Sequence, residues 1–494
     1  MLSQKPVTAI FDIGKSNKKF LLFDENYAVI EKTQTQLEEI EDDDGDPCED
    51  LRQLELWIKS EFHKAQENYQ VKTLNFSAYG ASFVHINQNG EAVTPLYNYL
   101  KKFPEELLNQ FYRTVGGREK FSIQTASPPM GMLNSGLQIY WLKHQKPELF
   151  EEIETSLHLP NYLGYLFTSK KSSELTSIGC HTGLWDFEEM QYHSWVRKEE
   201  LQSLLPNPQS VTKVVEDNGI NIGPGIHDSS AALAPYLIGL NEPFMLISTG
   251  TWSITLNPFN KEVLTYEELE KDCLCYLDIY GNQVKASRLF LGAEYSHQKK
   301  KIINHFSVDE NRSWMNPDLE LLKDLIDNQR QEQKLIIEKS YNSGPYPQKQ
   351  SGYWHVSNFS SAKEAYHQLM LDLVSLQVKS IELAQGSMNT EKVIVTGGFS
   401  QNDLYLSLLS TFFPDKQIYT SKLLDASALG AAMVLNERTI IASGAKQFQS
   451  EIDDSSKRIS YPDIVQDRND FNELLGLKKI NEIDDLNLKN YSWV

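Results

Sequence analysis

Alternating strand and helix patterns, a strand-turn-strand grammar that recurs near residue 250, and a length too great for one ordinary core together predict an α/β protein of two domains. The chain has 494 residues, whereas single cores stop growing at roughly 250–300 residues. The expected divisions are residues 1–242, residues 243–440, and a polar extension over 441–494 with no assigned role.

The elements follow in order. Two β-rich runs, 7–11 and 20–23, flank a turn containing Gly14, Ser16 and Asn17, which is a hairpin signal. Residues 51–66 carry Leu51, Leu54, Trp57, Ile58, Phe62 and Ala65 at one-sided helical spacing. Short strands at 74–76 and 83–86 surround Tyr79-Gly80. Residues 133–146 read as a helix stopped by Pro147, and 161–167 as a further apolar segment. Residues 244–256 repeat the opening grammar of strand, glycine-containing turn and strand, with Gly250 falling on Gly14 and Thr251 on Lys15. That weak repeat suggests a duplicated domain. A long helix over 361–384 starts with a capping box (Ser361, Glu364) and has Gly386 just after it. A strand at 393–395 leads into Thr396-Gly397-Gly398, and helices at 402–413 and 426–435 surround a strand at 417–420.

Composition excludes several classes. The hydrophobic fraction of 40% and aromatic fraction of 11% are those of an ordinary globular chain. No apolar run reaches membrane-span length, and the first residues lack the cleavage site of a signal peptide, so a cytoplasmic protein without membrane contact is expected. Cys273 and Cys275 have no second pair or nearby histidine to complete a metal set, and read as buried thiols in a reducing compartment. A formal net charge of −20 argues against nucleic-acid binding. Any phosphate ligand must therefore be neutralised locally. The acidic run at 38–50 lacks the spacing of an EF-hand and reads as a solvated loop.

Four motifs could carry chemistry. In Asp12-Ile-Gly-Lys-Ser-Asn-Lys-Lys19, turn amides beside Gly14 and the Ser16 hydroxyl can receive a phosphate, with Lys15, Lys18 and Lys19 close enough in sequence to reach one anion. Asp12, at a strand end, suits a Mg²⁺ ion that keeps its waters. By itself this is equally an ordinary hairpin with a basic tip. Ser248-Thr-Gly-Thr-Trp252 is the second such turn, with Gly250 and Thr251 positioned for phosphate oxygens. Gly223-Pro-Gly-Ile-His-Asp228 precedes an apolar helical stretch. Asp228 is then either a plain N-cap or a carboxylate that takes a proton from an attacking hydroxyl. His227 reads as the neighbour that shapes its turn. Thr396-Gly-Gly-Phe-Ser-Gln-Asn402 and the small residues from Ala426 to Ala432 would let a flat purine lie close to backbone, or would simply pack helices.

The four motifs in this order resemble the FGGY family of carbohydrate kinases, over roughly residues 7–435. Ser-Thr-Gly-Thr-Trp252, the His-Asp228 segment, Leu159-Pro-Asn-Tyr162 and Pro147-Glu-Leu149 are most similar to rhamnulose and fuculose kinases. The resemblance implies two actin-like (ribonuclease H-like) domains with a nucleotide and sugar cleft between them, ATP and Mg²⁺ as cofactors, and a small sugar as substrate. It is compatible with a homodimer. It implies that Asp228 is the catalytic base, that Asp12 lies near Mg²⁺, and that Gly14, Ser16 and Lys19 lie near the terminal phosphates. Gly250 and Thr251 would contact phosphate, and Gly397, Gly398 and Asn402 would line the adenosine pocket. Ser82, Phe83 and His227 join Asp228 as sugar contacts. The implied substrate is a 6-deoxyketohexose such as L-rhamnulose or L-fuculose. The alternatives are another ketose or polyol (xylulose, ribulose, glycerol) and a catalytically silent sensor of the same fold. The departures fall on the substrate side. The family's Arg at the end of the first turn is Lys19 here, and Ser77-Ala-Tyr-Gly-Ala-Ser-Phe83 stands where many members carry Trp and an acidic residue. Downstream, Tyr97-Asn-Tyr-Leu-Lys-Lys102 replaces the family's Trp, Asp and Arg pattern.

Overall fold

The computed structural model describes residues 5–309, 313–327, 355–435 and 475–481. Among them, two units form: residues 5–241 with 275–283 and 425–435, and residues 242–274 with 284–424 and 475–481.

In the first unit, the opening hairpin pairs Pro6–Ile13 antiparallel with Lys18–Phe23, and Val29–Thr35 extends it on one side. Gln70–Ala78 adds in parallel on the other side of Pro6–Ile13. Ile220–Ile222 and Ile226–His227 then run parallel to Gln70–Ala78. Val7, Ala9, Ile10, Phe11 and Ile13 are all buried, because helices or loops cover both faces of this strand. Helix Leu51–Asn68 begins where Asp50 accepts the Gln53 amide at 2.9 Å. It buries Leu54, Ile58, Phe62 and Ala65, the stripe that the periodicity picks out. The apolar segment at 161–167 is helix Leu159–Thr168. Residues 133–146 divide into a 3₁₀ turn, Gly131–Leu133, and helix Ser135–Gln145. Pro147 does not merely stop that helix; it opens a second, Pro147–Glu151, where its missing N–H costs nothing.

The second unit repeats the plan. Gln283–Leu289, Ser253–Asn257 and Phe244–Thr249 are successive antiparallel neighbours, and Lys392–Gly397 and Gln417–Thr420 follow in parallel. Strand order and sense match the first unit, so the hairpin repeat belongs to a repeated ribonuclease H-like sheet. Helix Ala362–Gln385 is buried on most of its circumference, including Leu369, Met370, Leu371, Leu373 and Val374. Ser361 accepts the Glu364 amide, but Glu364 reaches back to the Ser360 amide at 2.7 Å rather than to the cap itself. Gly386 sits at φ +59°, where a Cβ would lie 2.2 Å from a Glu262 oxygen.

The acidic run is largely exposed, as expected, but it is a paired segment rather than a loop. Glu39–Glu41 and Pro47–Glu49 pair as a short hairpin, and Lys101 meets Asp42, Asp44 and Asp46 at 2.7, 3.0 and 2.6 Å. Lys146 holds Asp43 and Asp44, and the Tyr97 hydroxyl donates to Asp43 at 3.1 Å. Asp42, Asp43, Asp44 and Asp46 are thus each opposed by an ammonium group from elsewhere in the chain. The four cysteines are buried and form no disulfide. No helix among the described residues is long and apolar enough to cross a membrane.

Candidate active site

Three adjacent parallel strands of the first unit end side by side: Asp12 registers with Ser77, Ile226 with Ser77, and His227 with Ala78. Asp12 and Asp228 therefore emerge at the carboxyl ends of the sheet, where open α/β sheets bind ligands. Asp12 also lies directly across the hairpin from Lys19, whose Nζ is 3.6 Å from its carboxylate. Burial raises the Asp12 pKa, with Lys19 and the Ser427 and Ser77 hydroxyls pulling the other way. Lys19 is shared with Asp425 at 3.0 Å, and Lys32 holds the same Asp425 at 2.7 Å. Burial pulls the Lys19 pKa down, but the two carboxylates more than offset it and the net shift is upward. Burial pushes the Asp425 carboxyl up, and the hydrogen bond from Lys32 and the charge of Lys19 bring it below its usual value.

The three lysines do not converge on one anion. Lys15 pairs with Glu39 at 2.7 Å, Lys18 is buried on Glu49, and Lys19 goes to Asp12 and Asp425. Lys18 and Lys19 are consecutive strand residues, so they leave opposite faces of the sheet. The turn itself closes through the Gly14 amide on the Asn17 carbonyl at 2.9 Å, and Ser16 is exposed at its tip.

Asp228 is positioned by a clamped loop. Asn75 donates to the Ala431 carbonyl at 2.8 Å and accepts the Gly225 amide at 3.2 Å. Asn161 donates to the Pro224 carbonyl at 2.9 Å. The Thr176 hydroxyl accepts the His227 amide at 3.1 Å while donating to buried Glu174 at 2.7 Å. Gly225, at φ +81°, must be glycine, because a Cβ there would be 2.1 Å from the Pro160 carbonyl oxygen. Helix Asp228–Gly239 then begins with His227, not Asp228, as its cap residue. The Asp228 side chain is 35% exposed. Surrounding protein raises its pKa to about 6, with the amide and hydroxyl of Ser229 pulling the other way. A carboxylate that titrates near 6 yet remains open to solvent can accept a proton from a bound hydroxyl.

His227 is buried, with Nε2 3.3 Å from Asp228 Oδ1 and 3.0 Å from the Cys180 sulfur. Ser82 and Phe83 are also buried, and the Phe83 ring stacks on His158 at 4.0 Å between centroids. Burial holds the His158 pKa near 3, which keeps that ring neutral.

In the second unit, Thr249 joins the two glycine turns. Its hydroxyl donates to the Thr396 carbonyl at 2.5 Å and accepts the Phe399 amide at 3.0 Å. Gly397 (φ +83°) lies so close that a Cβ would be 1.9 Å from the Thr249 carbonyl oxygen. Gly250, Thr251 and Gly398 are exposed in this same corner, and nothing lies within 4 Å of a Cβ built on Gly398. Asn402 caps helix Asp403–Phe412, accepting the Tyr405 amide at 3.0 Å, and donates to the Tyr366 hydroxyl at 2.9 Å. Asp12, Gly14, Ser16, Lys19, Ser82, Phe83, His227 and Asp228 thus belong to the first unit, and Gly250, Thr251, Gly397, Gly398 and Asn402 to the second.

Residues 7–217 match the model of the FGGY family of carbohydrate kinases, N-terminal domain, and residues 241–443 that of the carbohydrate kinase FGGY, C-terminal domain. The chain belongs to the FGGY family of carbohydrate kinases. It is similar to a rhamnulokinase of Oceanobacillus iheyensis, with 23% identity over 222 residues, covering 42% of this chain and 46% of that protein. The match spans about half the length of such curated relatives. Among solved structures it resembles a carbohydrate kinase from Novosphingobium aromaticivorans (TM-score 0.72, 21% identity, 89% of this chain and 92% of that one). It also resembles a ligand-bound xylulose kinase from Lactobacillus acidophilus (TM-score 0.72, 14% identity, 96% and 92%). At these identities the likeness to solved structures defines the fold.

Proposed function

We propose that this chain transfers the γ-phosphoryl group of ATP to a hydroxyl of a small ketose, with Asp228 as general base. The hydroxyl oxygen bonds to the γ-phosphorus, the bond to the β–γ bridging oxygen breaks, ADP leaves, and Asp228 receives the proton. The observation that carries this reading is the Asp228 carboxylate: solvent-open, fixed by a clamped loop, and titrating at about 6 rather than near 4. Positioning and electrostatics supply most of such a reaction.

The remaining roles divide between the two units. The amide turn at Gly14, the Ser16 hydroxyl and Lys19 hold terminal phosphates, and Gly250 and Thr251 offer a second amide and hydroxyl pair. Gly397 and Gly398 present bare backbone to the purine, and Asn402 fixes the helix beside them. Asp12 fits a Mg²⁺ ion held through water: it is a buried carboxylate flanked by the Lys19 ammonium at 3.6 Å and by the Ser427 and Ser77 hydroxyls. When bound, that ion neutralises phosphate charge. On the sugar side, Ser82, Phe83, His227 and Asp228 make the contacts. The substrate is a 6-deoxyketohexose such as L-rhamnulose or L-fuculose, a reading supported by the similarity to a rhamnulokinase.

The test is ADP release with Mg-ATP against L-rhamnulose, L-fuculose, D- and L-xylulose, D- and L-ribulose and glycerol. One deoxyketose far above background supports the whole reading. A response to xylulose, ribulose or glycerol keeps the kinase and replaces the substrate. Asp228→Asn should fold and bind ATP yet lose about 10²–10⁴-fold in turnover. Near-parental turnover in that variant removes Asp228 as the base.

A further inference from the structure

Beside the proposed base lies a cysteine–histidine contact that the reaction as written does not use. Cys180 follows the short helix Leu175–Ile178, whose first amides are held by the buried Glu174 carboxylate. A Cβ on the intervening Gly179 would lie 2.5 Å from Leu277 Cγ, so the turn that delivers Cys180 has little freedom. The thiol reaches His227 Nε2 at 3.0 Å, and both groups are buried. Gly80 makes room for the pair: a Cβ there would sit 3.0 Å from the His227 ring and 3.3 Å from the Cys180 sulfur. Gly80 belongs to the segment that departs from the family pattern.

The Asp228 carboxylate faces that same ring nitrogen at 3.3 Å. One nitrogen cannot both accept a proton from the thiol and donate one to the carboxylate. Sulfur is the larger atom, so 3.0 Å is the tighter approach, whereas 3.3 Å is long for an N–H donating to a carboxylate, a bond that normally runs about 2.7–2.9 Å. We propose that Cys180 is a positioning residue for the base: its thiol donates to Nε2 of His227 and so withholds that nitrogen's proton from the Asp228 carboxylate. Among the described residues, the donors left to Asp228 are the hydroxyl and amide of Ser229. A charge-assisted bond from the imidazole would stabilise the carboxylate and weaken it as a base. This inference rests on the assignment of Asp228 as base. The contact itself does not.

The test uses the full-length protein. In ¹⁵N-histidine-labelled parent protein without ligands, with the His227 resonances assigned by their loss in His227→Gln, Nε2 is expected to resonate as a bare acceptor nitrogen. In Cys180→Ala it is expected to become protonated. A protonated Nε2 in the parent overturns the proposal, and this measurement stands even if the alanine variant fails to fold. With L-rhamnulose and Mg-ATP, Cys180→Ala should lower kcat about three- to tenfold with both KM values unchanged. Cys180→Ser, which keeps a hydroxyl donor, should recover most of that loss. Equal losses in the alanine and serine variants, or KM moving with kcat, mark a packing role and overturn the proposal. A bare Nε2 together with an active Asp228→Asn would remove the base assignment while leaving the thiol bond in place, so the two failures are distinguishable.

Discussion

Gly430 should be the least substitutable position on the helix that supports the base. Helix Ala426–Met433 lies against helix Asp228–Gly239, and a Cβ on Gly430 would be 1.8 Å from the Ala231 carbonyl oxygen and 2.7 Å from its carbon. Ordinary contact begins at 3.4 Å, so Gly430→Ala must part the helices by about 1.6 Å at this point (3.4 − 1.8). The obstacle is backbone, which cannot swing aside as a side chain can. The cost should therefore fall at the upper end of overpacking penalties, about 3 kcal/mol. For a unit of this size that lowers the melting midpoint by roughly 6–12 °C. Scanning calorimetry is the assay, read on the transition of the first unit, because two units need not melt together. Turnover should fall as well, since the displaced helix begins with Asp228. Gly398→Ala is the comparison for stability: its Cβ meets no heavy atom within 4 Å, and the midpoint should move by less than about 2 °C. A Gly430→Ala protein melting within about 2 °C of the parent would refute the packing argument.

Two further predictions concern charge. Turnover should decline as pH falls through about 6, because protonated Asp228 cannot accept the hydroxyl proton; a rate that stays flat down to pH 5 contradicts it. Lys101→Met should cost about 3 kcal/mol at neutral pH, since it leaves the buried Asp42 carboxylate without its cation. Asp42 titrates below its ordinary value in the folded protein: burial opposes this, but the hydrogen bond and charge of Lys101 together with the backbone amides of Asp44 and Asp46 outweigh it. Its stabilising share is therefore complete above about pH 4 and is lost as pH falls through the lower folded value. Denaturation curves of parent and variant should converge in acid, and a gap that persists there counts against this account.

Much of the fold was legible because hydrophobic period and turn chemistry are local. The hairpins around Gly14 and Gly250, the stripe of helix Leu51–Asn68 and the cap at Ser361 all follow from residues within a few positions of one another. Asp228 could be singled out from its place between a glycine-rich turn and an apolar helix. The groups that hold it could not. Asn75, Asn161, Thr176 and Glu174 act through bonds spanning up to 356 positions, as from Asn75 to Ala431, and nothing in their neighbours distinguishes a clamp from a surface residue. The lysines of the first turn diverge for a nearer reason. Proximity in sequence suggested one shared anion, but strand alternation already separates Lys18 from Lys19. The ion pairs that order the acidic run are hidden in the sequence because Lys101 and Lys146 stand far along the chain. The Asp-Gly-Asp turn at Gly45, with φ +84°, was the local sign that this segment was a hairpin.

The helix carrying Gly430 also bears on how the molecule is made. Residues 425–435 complete the first unit, yet nearly all of the second unit is synthesised before them. During translation, the surface of helix Asp228–Gly239 that receives them must wait, apolar and uncovered, while about two hundred further residues emerge. Closing that contact is a long-range step, and such steps slow folding and prolong exposure to aggregation. A fragment ending at residue 242 would therefore be an unfinished unit with a bare seam rather than a domain in its own right.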